Sequence, residues 1–134
     1  SKGMLGLTLD HHKLGGSANS WLDNIPFASV AKKRSLNLIK RTLQQFIRIP
    51  FDYQMPEPHS IWQRIALGSG FDGFMQPMQR YSSVLQFSTF EHDLVKILHE
   101  MKREDAIWFG SYRPEDLARM ICFSNAYDFV KKHY

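Results

Sequence analysis

Apolar residues recur along this chain at two spacings, and their alternation with polar ones marks out its elements. Between residues 33 and 48, Leu36, Ile39, Leu43, Phe46 and Ile47 fall within one narrow arc of a helical wheel at about 100° per residue. This predicts an amphipathic helix. Pro26 and Ser29 supply its start. The Ile49-Pro50 junction predicts its end, because the proline ring disfavours the α conformation in the preceding residue. Phe90, Leu94, Ile97, Leu98 and Met101 repeat the helical spacing over 88–103. There Ser88 and Glu91 stand in capping-box register, and Lys102 and Arg103 meet the negative end of the helix dipole. Pro114, followed by Glu115 and Asp116, opens a further helix with Leu117, Met120 and Ile121 on its inner face. Residues 126–133 continue or restart it, with Tyr127 and Val130 expected inside and Lys131 and Lys132 outside. A shorter helix is expected over 60–67, with Ile61, Trp62 and Ile65 inward.

The strand signals are weaker. Leu5, Leu7 and Leu9 alternate and predict an edge strand over 4–9. Val84-Leu85-Gln86-Phe87 suggests a strand over 82–87, and 106–110 reads as a third short strand or a buried turn. From Pro50 to Pro58, three prolines in nine residues preclude a regular helix, so this stretch is an extended connector. Its alternating Phe51, Tyr53 and Met55 are expected to cling to a core. Residues 1–24 mix glycine with serine and asparagine and form a partly ordered N-terminal segment, which leaves 25–134 as one globular domain. The expected fold class is therefore α+β: a helix-dominated single domain with four or five helices and two or three short strands, with an all-α bundle as the alternative.

Composition supports a packed core. Of 134 residues, 43% are hydrophobic, and ten Phe, five Tyr and three Trp supply large side chains. The longest apolar runs are a few residues, far below the roughly 20 needed to cross a bilayer, so no transmembrane segment is expected. No secretory signal is visible. A single cysteine, Cys122, cannot close an intrachain disulfide, which points to a reducing compartment and a cytoplasmic location. Within Met-Ile-Cys-Phe it reads as a small buried hydrophobe.

Charge changes the picture most. Residues 24–51 hold Lys32, Lys33, Arg34, Lys40, Arg41 and Arg48 and not one Asp or Glu. The chain carries +4 overall, whereas the remainder has 11 basic against 13 acidic residues. On the wheel Lys33, Arg34, Lys40, Arg41 and Arg48 lie together beside the apolar arc, forming a ridge roughly 20 Å long at about 1.5 Å per residue. Lys32 lies at the opposite edge. A concentrated cationic ridge on an otherwise acidic protein points to an anionic contact.

Other motifs explain less. Gly68-Ser69-Gly70-Phe71-Asp72-Gly73 matches G-x-G-x-x-G, and Asp93 stands 20 residues beyond. A dinucleotide site requires a strand before the glycines and an unbroken helix after them. Pro77 interrupts the latter, and residues 60–67 read as helix rather than strand. No cofactor is expected. Asp10-His11-His12 resembles the signature triplet of the DHH phosphoesterases, and that resemblance implies divalent metal held by these Asp and His residues. It covers three residues, and no Asp-x-Asp or comparable carboxylate cluster accompanies it. His92 and His99, seven apart with Glu91, Asp93 and Glu100 nearby, read as polar-face occupants, and His59 as part of a turn. Aromatic and basic residues interleave in 71–81 and in Trp108, Phe109, Tyr112 and Arg113, a mixture that single-strand binders use but that core packing explains equally well.

The functional expectation is a non-enzymatic interaction or adaptor module whose basic helix docks an acidic protein surface through Lys33, Arg34, Lys40, Arg41 and Arg48. The alternative is a nucleic-acid-binding domain using the same helix on phosphates. A metal-dependent hydrolase built on Asp10-His11-His12 is the least favoured reading.

Overall fold

A computed structural model describes residues 3–9, 28–68, 81 and 83–134. The chain runs through strand β1 (Leu5–Thr8), helix α1 (Ala28–Asp52), a 3-10 segment (Pro58–Arg64) and strand β2 (Ile65–Gly68). A 3-10 turn (Val84–Gln86) then feeds helix α2 (Phe87–Glu104). Another 3-10 turn (Ala106–Trp108) precedes helix α3 (Pro114–Arg119), which passes through a π-helical stretch (Met120–Ser124) into helix α4 (Asn125–His133). The fold is α+β and dominated by helices.

The two strands pair in parallel, Leu5 opposite Ile65 and Thr8 opposite Gly68, with α1 and the 3-10 segment as the crossover. Parallel pairing demands such a long return connection. β1 is the strand that the alternation of leucines indicates, and Leu7 and Leu9 are fully buried. β2 was not legible in the same way. Residues 60–67 are 3-10 and then strand, not helix, and Trp62 and Ile65 point inward as expected while Ile61 is half-buried. Pro58 begins the tighter winding, and the indole Nε1 of Trp62 donates to Trp108 O at 2.9 Å while its ring packs on Phe109 at 5.3 Å. Tertiary anchoring of one large residue decides the local conformation.

Of the other two segments, the one read as a strand over 82–87 is not one, and the one read as a strand or a turn over 106–110 takes the turn. Residues 84–86 form a 3-10 turn and Phe87 is already helical. Ser83 and Gln86 make the capping box, so this register, and not Ser88 with Glu91, sets the approach to α2. Ser88 lies exposed within the helix. Residues 106–108 likewise form a turn, held by the Trp108 N–H to Asp105 O and the Phe109 N–H to Ala106 O. Gly110 follows at φ +53°, a left-handed conformation, and a Cβ there would stand 3.2 Å from the His59 ring.

Helix α1 continues past Pro50 to Asp52. Its end is a Schellman motif: the Met55 N–H donates to Pro50 O at 2.8 Å and the Gln54 N–H to Phe51 O at 3.1 Å, with Gln54 at φ +50°. Proline forfeits its own N–H, yet its carbonyl closes the cap. The same turn overturns the expectation for the connector: Phe51 is half-buried, but Tyr53 and Met55 are exposed.

One core joins the elements. Ile39, Leu43 and Ile47 of α1 meet Leu94, Leu98 and Met101 of α2, Leu117 and Ile121 of the C-terminal helices, and Leu7, Leu9 and Ile65 from the sheet. Asn125 is buried within it, its Nδ2 donating to Trp62 O and Ile65 O, each at 2.7 Å. This amide ties the start of α4 to the point where the 3-10 segment becomes β2. Tyr127 and Val130, expected inside, point outward instead. The inward line runs Leu117, Ile121, Asn125, one polar residue having taken the place where an apolar one was sought.

Candidate binding surface

The apolar stripe of α1 is seated in the core as its periodicity predicts, so the opposite, polar side of the helix is fixed toward solvent. The five ridge cations do not share one environment. Lys40 lies at the edge of the stripe with its side chain 17% exposed. Its Nζ donates to Glu104 Oε1 at 2.7 Å and to Glu100 Oε1 at 3.1 Å, both on α2. Burial acts to lower its pKa, but the hydrogen bonds to Glu104 and Glu100 outweigh it and hold the ammonium above the ordinary lysine value. Lys40 is thus a clamp between helices.

Arg34 is half-buried and already engaged. Lys33, Arg41 and Arg48 are exposed, and none takes part in the ion pairs among the described residues. They are spaced eight and seven residues apart, about 12 and 10 Å along the axis. Beyond Arg48 the same end of α1 exposes Ile49 (45%), Tyr53 (80%) and Met55 (42%). The sequence offered no direct signal for this apolar end. Alternation in 51–55 announced packing, whereas α1 ends here in a turn with Gln54 left-handed, and Tyr53 and Met55 are exposed.

The remaining candidates are placed as follows. Asp10-His11-His12 lies outside the described residues, as do Ser69 to Gly73. The strand β2 does precede the glycine run, so the helical reading of 60–67 gives no ground against a dinucleotide site. Asp93 does give one: it is 1% exposed and accepts a 2.8 Å hydrogen bond from the Tyr81 hydroxyl, so it faces the core. His99 Nε2 lies 2.6 Å from Glu115 Oε1 and links α2 to α3, while His59 Nε2 contacts Ile107 O at 2.7 Å. A backbone hydrogen bond to its own N–H, then the contact with His99, holds the Glu115 carboxyl below the usual range. Trp108 and Tyr112 are half-buried and Phe109 fully buried, which makes them packing residues.

Burial, and then the charge of Glu91, pushes the Cys122 thiol up to about 12, so the nucleophilic thiolate is absent at neutral pH. Among the described residues no group of three or more His, Cys, Asp and Glu side chains could hold a metal ion. No helix among them is long and apolar enough to cross a membrane. Neither family models, nor characterised proteins, nor solved structures yield a match to this chain.

Proposed function

We propose that this protein is a non-enzymatic interaction module that docks an acidic, partly apolar protein surface through the solvent face of α1. Lys33, Arg41 and Arg48 supply the charge, and Ile49, Tyr53 and Met55 the apolar anchor. The observation that carries the reading is that the end of α1 exposes Arg48 and the apolar Ile49, and the turn that follows exposes Tyr53 and Met55. Phosphates draw nothing from an isoleucine or a methionine, whereas protein interfaces place apolar and aromatic anchors inside a polar rim. Lys40 and Arg34, already engaged, support the interaction through the fold.

Tyr53, 80% exposed beside the cations, favours a second reading, in which it stacks on a base while the cations grip a single strand. Fluorescence anisotropy separates the two. The probes are labelled random-sequence duplex and single-stranded DNA, and an extended labelled peptide alternating Glu with Leu. The expected result is peptide binding weakened at least about fivefold by Arg41→Glu with Arg48→Glu and, independently, by Tyr53→Ala with Met55→Ser. Single-strand binding that falls with salt at a log–log slope of about −2.1, the value for three phosphate contacts at roughly −0.7 each, and that vanishes in the Arg41/Arg48 variant would replace the protein surface with nucleic acid.

A further inference from the structure

The C-terminal helical run is apolar on two sides. Leu117, Ile121 and the amide of Asn125 face the core. On the opposite side Phe123 (62% exposed), Tyr127 (53%) and Val130 (55%) recur at i, i+4 and i+7, and Tyr134 continues the series at i+11. The Phe123 and Tyr127 rings stack at 5.5 Å and 18°, which fixes both side chains on one face before any partner arrives. A helix needs one apolar stripe to dock on its own core. The second stripe is surplus to the fold.

Charge and area narrow what covers it. Lys131 and His133 flank the stripe on its two sides, about 70° and 90° from its centre, while Asp128, the acid of α4, lies about 130° away. The rim therefore carries the Lys131 cation on one side, the His133 ring, packed on Phe129, on the other, and no acid of α4. The exposed parts of Phe123, Tyr127, Val130 and Tyr134 amount to on the order of 500 Å², taking about 150–250 Å² per large side chain. A stable association of two folded copies needs roughly 800 Å² from each, so a second copy is poorly served by this stripe. A single amphipathic helix laid along it is well served: its footprint is narrow, its anchors repeat at i, i+4 and i+7, and its flanks meet the rim. Depth argues against a bilayer, because the other side of the same helix is buried in the core and cannot follow the stripe into lipid.

We infer that the outward face of residues 123–134 is a second docking site, and that it takes an amphipathic helix with an aliphatic stripe flanked by Asp or Glu. This site shares no residue with the α1 surface.

The experiment is anisotropy with a labelled peptide about four helical turns long, carrying Leu at i, i+4, i+7 and i+11 and Glu on both flanks, beside a twin with Lys flanks. The full chain is compared with Tyr127→Glu, Val130→Glu, and Arg41→Glu with Arg48→Glu. The first two sites are exposed, so thermal melts should match the wild type, and a matched melt is the condition for reading the binding. The acidic-flanked peptide should bind at least about tenfold tighter than its twin, and either stripe variant should remove that binding while the Arg41/Arg48 variant keeps it. Equal binding of the two peptides, or binding unmoved by both stripe variants, overturns the inference. Loss in the Arg41/Arg48 variant alone overturns it too, and places the peptide on α1. Binding to phosphatidylcholine vesicles containing phosphatidylserine, abolished by Tyr127→Glu in the absence of peptide binding, assigns the stripe to membrane instead. A dimer in sedimentation that Tyr127→Glu dissolves assigns it to a second copy.

Discussion

Reversing Lys40 and Arg41 one at a time separates the structural half of the basic ridge from its accessible half. Lys40→Glu removes two contacts, at 2.7 and 3.1 Å, and sets a third carboxylate against Glu100 and Glu104. The two acids are about half exposed, which limits each lost pair to about 0.5–1 kcal/mol despite the shielded ammonium. Two new like-charge contacts cost about as much again, so the total is roughly 2–4 kcal/mol. Arg41→Glu alters an exposed side chain that makes no ion pair among the described residues, and should shift stability by no more than about 0.5 kcal/mol. Urea unfolding followed by tryptophan fluorescence reads both values. A folded pKa above the ordinary 10.5 means that the stabilisation is full below that value and is lost as pH rises through the folded pKa. The gap between wild type and Lys40→Met should therefore hold at neutral pH and close in alkali above about 10.5. Equal unfolding midpoints for Lys40→Glu and Arg41→Glu would refute the assignment of Lys40 as a helix clamp.

Three further outcomes follow from the geometry. Asn125→Ala strips the amide from Trp62 O and Ile65 O in a buried setting and should cost about 2–5 kcal/mol in urea unfolding; a loss under 1 kcal/mol would mean that the two carbonyls find other donors. Gln54→Gly should raise stability by about 0.5–1 kcal/mol, since φ +50° suits glycine and the Schellman bonds remain; a decrease would place the Gln54 side chain among the stabilising contacts. Glu115 titrates below the usual 4.5, so its link to His99 is present above that pH and is lost as pH falls through the folded value. Acid unfolding of Glu115→Gln should accordingly begin from lower stability and fall less steeply below pH 4.5 than the wild type.

The elements that sequence periodicity reveals here are those whose own length sets their conformation. The stripe Leu36 to Ile47 and the series Phe90 to Met101 each span several turns; both face the core as the spacing demands, with Leu36 and Phe46 half-buried at its edge. The short pieces obey partners from elsewhere. Residues 65–68 become strand because Leu5 to Thr8 pair with them and Asn125 holds their approach, two partners some 60 residues distant that no local window contains. Val84 to Phe87 look like a strand by composition, yet the Ser83 and Gln86 capping box converts them to a helical entry. In the ridge, wheel geometry groups Lys40 with Arg41. The difference between them comes from Glu100 and Glu104 on another helix, and a single-helix projection cannot supply it.

The parallel pairing of Leu5 with Ile65 also carries a kinetic consequence. Closing a loop of 60 residues costs roughly 3–4 kcal/mol in chain entropy, repaid by two four-residue strands and the burial of Leu7 and Leu9. The contacts of α2 with α3 are local in sequence and are expected to form first, with pairing of the N-terminal strand following. Mutations such as Leu7→Ala should then speed unfolding while leaving the folding limb of a chevron nearly unmoved, whereas Leu94→Ala should slow folding. The N-terminal strand is thus also a guard: β1 is the strand that covers this edge of β2, and weakening it is expected to leave that edge open to pairing with a foreign chain.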